Sequence, residues 1–146
     1  MVKIEFSHEP PRVRFTDAVE EIFCTIRKRW MILTPEEWVR QNFIHHLVST
    51  LHFPASLIAV EKQLTMGALK KRFDIVVYSI NAEPYIVVEC KEMNFKLSES
   101  IFNQVMRYNI SLRAPYLIIT NGSYCRAFRL ENVMVREIEC LPELPK

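Results

Sequence analysis

A chain of 146 residues, 49% hydrophobic and 25% charged, has the size and composition of one domain with a substantial core. Its net charge of +2 is weak evidence for a polyanionic partner, and its two glycines, Gly67 and Gly122, cannot build a phosphate-cradling loop, which excludes ATPase, kinase and dinucleotide-binding readings. The four cysteines form no CxxC or Cys/His cluster, no window is long and apolar enough to span a membrane, and the N-terminus lacks the apolar run of a signal peptide, so a cytoplasmic protein with reduced thiols is expected.

In chain order, the first 33 residues read as β-structure. Lys3–Ser7 and Arg12–Thr16 alternate, and Ile22–Ile26 and Trp30–Leu33 suggest a hairpin turning through the basic triplet Arg27-Lys28-Arg29. A helix begins at Thr34, an N-cap followed by Pro35 and, three residues on, Glu37, which completes a capping box. It is expected to run to about His52, where Phe53-Pro54 ends it. Its apolar stripe is Val39, Phe43, Ile44, Leu47, Val48 and Leu51. At helical spacing Glu36 and Arg40 fall inside that stripe, so Glu36 is expected to point at the sheet while Glu37 serves the cap. His45 and His46 point in different directions and are assigned to the surface. Strands are predicted at about 57–64, 72–79 and 84–91, a helix over 98–112, and strands over 116–120, 124–130 and 133–138. This gives three segments within one domain: an N-terminal β segment (1–33), a core of order α-β-β-β-α-β (34–131), and a short strand with a proline-bearing tail (132–146).

Three charges stand out on the second and third core strands. Asp74 interrupts Arg72-Phe73-Asp74-Ile75-Val76-Val77-Tyr78, and Glu89 and Lys91 interrupt Tyr85-Ile86-Val87-Val88-Glu89-Cys90-Lys91. Strands this apolar are central, and a buried ion there needs a partner or a metal. A hairpin symmetric about Asn81–Ala82 sets residues summing to 163 opposite each other, so Asp74 faces Glu89, with Lys91 on the same side as Glu89. The three groups are expected on one patch, and Phe73, Ile75, Val77, Ile86, Val88 and Cys90 on the opposite, core face. The basic triplet Lys70-Lys71-Arg72 leads into the strand of Asp74, a cationic rim suited to a nucleic-acid backbone.

This order of elements, with Asp on the second strand and Glu-x-Lys on the third, resembles the PD-(D/E)XK nuclease fold, an α/β (α+β) architecture with a mixed sheet; the proline of the motif name is absent. The segments Thr-Pro-Glu-Glu-Trp-Val-Arg-Gln (34–41), Lys-Lys-Arg-Phe-Asp-Ile-Val-Val-Tyr (70–78), Val-Val-Glu-Cys-Lys (87–91) and Ala-Pro-Tyr-Leu-Ile-Ile-Thr-Asn-Gly (114–122) are similar to small bacterial proteins related to the N-terminal domain of type I restriction enzyme R subunits. The resemblance implies Mg²⁺- or Mn²⁺-dependent hydrolysis of DNA. Asp74, Glu89 and the Cys90 backbone carbonyl would hold the metal, Glu36 would complete its site, and Lys91 would orient water or stabilise charge on the phosphate. Gln104 and Tyr108 match a Gln-x-x-x-Tyr motif of some such nucleases, although Tyr108 also lies on its helix's apolar stripe. DNA is the implied partner, and the assembly, a homodimer or a complex with other restriction-type subunits, stays open. Two alternatives are a DNA-binding or assembly module without turnover and a purely structural ion cluster, in which Lys91 leaves one carboxylate uncompensated.

Overall fold

The β-branched runs 75–77, 86–88 and 117–119 have little choice but the middle of a sheet, because every residue in them is apolar on both faces. The computed structural model describes residues 1–6 and 9–146. Its elements are β1 (Val2–Lys3), β2 (Val13–Thr16), β3 (Val19–Cys24), β4 (Arg29–Ile32), α1 (Pro35–His45), β5 (Ile58–Met66), β6 (Leu69–Tyr78), β7 (Pro84–Cys90), α2 (Ser100–Asn109), β8 (Tyr116–Thr120), β9 (Tyr124–Glu131) and β10 (Met134–Ile138). The main sheet has the order β1-β9-β8-β7-β6-β5, with β10 also paired to β9. Among the described residues only β7 and β8 pair in parallel, and α2 is the crossover between them, so the sheet is mixed. β2, β3 and β4 form a separate antiparallel sheet.

Each face of the main sheet is closed by one helix. α1 brings Val39, Phe43 and Ile44 onto Ile75, Val77, Ile86 and Val88. α2 brings Ile101 and Val105 onto Phe73, Val76, Val87, Leu117 and Ile119. Side chains of this size each contribute about 1.5–3 kcal/mol when fully buried, so the two helices lock β6, β7 and β8 into one register.

The mixed α/β class matches expectation, and most differences lie at element ends. Thr34 caps α1 as expected, accepting from the Glu37 N–H at 3.0 Å. The helix that was to reach His52 changes geometry at His46, where a π-helical turn, His46–Thr50, carries the stripe onward through the buried Leu47. His46 was assigned to the surface and is buried, its ring 6.0 Å from that of Phe43; seven residues after Val39, it lies at nearly the same helical phase, on the inward stripe. The first strand shrinks to Val2–Lys3 and joins the main sheet on β9, and Ser7 of the expected Lys3–Ser7 run lies outside the described residues. β5 and β6 are longer than expected because Gly67, at φ +59°, closes them into a tight hairpin. At Gly122, φ is +90° and an added Cβ would stand 3.1 Å from the Phe6 ring, so the turn into β9 requires glycine.

Candidate functional site

Hairpin symmetry holds along β6 and β7. Ile75 faces Val88, Val76 faces Val87 and Val77 faces Ile86, each pair summing to 163, and a bulge follows at Val77/Tyr78. One step beyond Ile75↔Val88, at the rung of Asp74 and Glu89, the ladder gives way to side-chain bonding: Asp74 Oδ2 accepts from the Cys90 N–H at 2.8 Å. A carboxylate takes the place of a backbone acceptor, and it ties the ends of the two strands together.

The single patch expected for the three charges is divided. β6 pairs with β5 as Val60↔Ile75 and Lys62↔Phe73, with no rung at Glu61/Asp74, where Glu61 takes φ +52°. This irregularity shifts the phase of β6. Ile75 and Val77 lie in the cluster under α1 while Phe73, expected beside them, lies under α2. The Asp74 carboxylate consequently reaches α1, where Oδ1 accepts from Arg40 Nη2 at 2.6 Å. Glu89 keeps its phase and faces α2: Oε2 accepts from Gln104 Nε2 at 2.9 Å and Oε1 from the Tyr108 hydroxyl at 3.2 Å. Thus the Gln-x-x-x-Tyr pair, one turn apart on α2, converges on one buried carboxylate, and the Tyr108 ring also packs edge-on against Phe73 at 5.8 Å.

The lysine on Glu89 is not Lys91. Lys71 Nζ lies 3.0 Å from Glu89 Oε1. Burial alone would lower its pKa, but the hydrogen bond and charge of Glu89 outweigh it and the net shift is upward. The basic triplet therefore splits by strand alternation: Lys71 turns to α2, while Lys70 and Arg72 are exposed. Lys91 donates its backbone N–H to the Thr120 carbonyl at 2.8 Å, and its ammonium sits 5.5 Å from the Phe95 ring centroid with no carboxylate partner among the described residues.

The first helix contributes an acid, but it is Glu37 rather than Glu36. Glu36 is exposed, whereas Glu37 is 6% exposed. The stripe is wide enough to admit either residue by phase. The choice falls to Glu37 because Arg27 arrives from the β3–β4 turn and donates to Oε1 at 2.6 Å, Gln41 donates to the same oxygen at 2.8 Å, and Arg40 donates to Oε2. The carboxylate is thereby drawn from the cap it was expected to serve. Burial pulls the Arg40 pKa down, and the Asp74 hydrogen bond and the Glu37 charge more than reverse it. Sequence reasoning placed Arg40 in the inward stripe. It read Arg27 only as part of a basic turn, since nothing local ties a turn in the small sheet to a helix ten residues on.

The Asp74 and Glu89 carboxylates and the Cys90 carbonyl are oxygen donors of the kind a hard divalent cation takes, with Asp74 bonded toward α1 and Glu89 toward α2. Among the described residues no three His, Cys, Asp or Glu side chains gather into a protein-only cage. Each carboxylate instead holds a protein cation, Arg40 on Asp74 and Lys71 on Glu89.

The type I restriction enzyme R protein N-terminus (HSDR_N) family profile matches residues 35–145, from the start of α1 through β10. This chain belongs to that family. No curated protein sequence gives a significant match. Among solved structures, a cryo-EM structure of a DrdV–DNA complex aligns with 18% identity and a TM-score of 0.48 over 71% of this chain, which spans 10% of the DrdV chain. The family's stretch takes in Asp74, Glu89, Lys91, Gln104 and Tyr108, whereas Arg27 lies before it. Among the described residues, no helix is long and apolar enough to cross a membrane, and all four cysteines are free.

Proposed function

We propose that this family member is a metal-dependent DNA nuclease of the PD-(D/E)XK type. The observation that supports it best is the end of the β6–β7 ladder. There Asp74 accepts from the Cys90 N–H and from Arg40, while Glu89, the residue before Cys90, is oriented by Gln104 and Tyr108. A structural ion pair would need one acid and one base. Here four separate side chains from two helices and β6 are spent on holding two acids in place. Asp74, Glu89 and the Cys90 carbonyl would hold Mg²⁺ or Mn²⁺, which when bound would polarise a phosphate and acidify an attacking water. Lys91, whose ammonium has no carboxylate partner among the described residues, would stabilise charge growing on the phosphate. Gln104 and Tyr108 act through Glu89 as positioning residues, and Lys70 and Arg72 meet the DNA backbone. Glu36 has no role at this site, and the first-helix acid, Glu37, acts by fixing Arg40.

Cleavage of linear, nicked, single-stranded and branched DNA with Mn²⁺ tests this. Asp74→Ala, Glu89→Ala and Lys91→Ala should each abolish product while the far-UV spectrum stays native. Lys91→Arg should fail too, because a planar fork cannot replace a compact ammonium. Metal-dependent cutting that survives Glu89→Ala sinks the proposal. The alternative, a DNA-binding or assembly module without turnover, is favoured by one specific feature: both carboxylates already carry protein cations. A salt-sensitive gel shift with no product at any metal concentration would select it.

A further inference from the structure

Arg40 lies among three carboxylates. Nη2 is 2.6 Å from Asp74 Oδ1, Nη1 is bonded to Glu37, and the same Nη1 is 3.7 Å from Glu61 Oε1. The guanidinium is buried, and its Nε finds no partner. Glu61 is unusual in its own right. It occupies the rung of β5 that faces Asp74, the one rung missing from an otherwise continuous ladder, and it adopts φ +52° without being glycine. Left-handed backbone in mid-strand is unfavourable for a residue with a side chain and persists where surrounding contacts enforce it. Here the contact is with arginines: Glu61 Oε2 accepts from Arg27 Nη1 at 3.1 Å, leaving Oε1 turned toward Arg40.

Both Asp74 oxygens are committed, one to the Cys90 N–H and one to Arg40. The backbone bond belongs to the strand framework, so a cation approaching Asp74 competes with Arg40. Two positive groups cannot share one carboxylate oxygen at contact distance without strong repulsion. Taking the metal-site reading above as its basis, we infer that Arg40 is the resting counter-ion of Asp74, and that Glu61 receives it when Asp74 takes up a divalent cation. Glu37 stays bonded to Arg40 in both positions and acts as the pivot. Metal affinity is then set by the balance of two carboxylates for one guanidinium, a coupling that must be reciprocal.

Binding of Mn²⁺ alone, followed by the electron paramagnetic resonance signal of the free ion, tests this in the full chain with a double-mutant cycle. Arg40→Gln should bind Mn²⁺ more tightly, on the order of tenfold, a typical size for such coupling. Glu61→Gln should bind it several-fold more weakly, since displaced Arg40 has nowhere to go, and in the Arg40→Gln background Glu61→Gln should have no further effect. Unchanged or weaker binding by Arg40→Gln overturns the inference. So does a Glu61→Gln effect that persists in full without Arg40. Should Arg40→Gln not fold, Glu61→Gln against Glu61→Asp decides: weakening by the first and recovery by the second supports the inference, and equal affinity overturns it. No DNA is cut in these measurements, so an inactive nuclease leaves a positive result standing. Absence of Mn²⁺ binding in wild type and all variants removes the metal reading and the inference together.

Discussion

Glu36 and Glu37 are adjacent and chemically identical, yet they have opposite fates. Glu37→Ala leaves two arginines facing a buried gap, and loss of one partner from a buried ion cluster typically costs about 3–5 kcal/mol. Glu36→Ala, at an exposed site, should change stability by less than about 0.5 kcal/mol. Urea unfolding of the two variants reads the difference, and equal costs would contradict the assignment. Gln104→Ala and Tyr108→Phe leave Glu89 in place but less well oriented. Each should reduce Mn²⁺-dependent cleavage by about 10–100-fold, the usual effect of losing a group that orients a metal ligand. Steady-state rates check this against circular dichroism, which should not change. The register of β6 on β7, Ile75 against Val88 and Val77 against Ile86, was legible because apolar residues on both strands permit only one register. The partners were not. Which lysine meets Glu89 depends on a phase shift at Asp74 that no hydrophobic pattern encodes, because Phe73 is equally apolar on either face.

Elements were legible where pattern and punctuation agreed. Thr34-Pro35 fixed the start of α1. The π-helical turn at His46–Thr50 was not, since a period of 3.6 runs through Leu47 and Leu51 without a mark. The burial of His46 at the start of this turn is testable. Burial lowers the pKa of His46, partly opposed by a hydrogen bond with the Glu5 backbone. In the unfolded chain the ring titrates near about 6.5. As pH falls below that value the unfolded chain takes up a proton that the folded chain resists, so stability is present above it and lost progressively below. Urea midpoints from pH 7.5 to pH 5 should therefore fall more steeply for wild type than for His46→Gln, and parallel curves would show that the ring is not held neutral.

At the scale of the molecule, Arg27 links the small β2–β4 sheet to α1 and β5 through Cys24, Glu37 and Glu61, beside Ile26, which packs on the α1-side cluster. Such ties between distant segments are invisible to local pattern, and this is why the N-terminal 33 residues carried no readable role. Family membership and the exposed pair Lys70 and Arg72 beside the β6–β7 rim lead to a prediction for DNA binding. Affinity should fall steeply with salt, and each of Lys70→Ala and Arg72→Ala should reduce the slope of log K against log salt by about one, with no preference among sequences. A slope that does not change would place the DNA elsewhere. The central claim, that the Asp74–Glu89 rung is a working hydrolytic site, is tested most directly by single-turnover cleavage of DNA in Mn²⁺ by wild type and Glu89→Gln. The account predicts product from wild type and none from the variant, which keeps its shape and loses only the charge. Equal product from both, or from neither across all DNA forms, would contradict it.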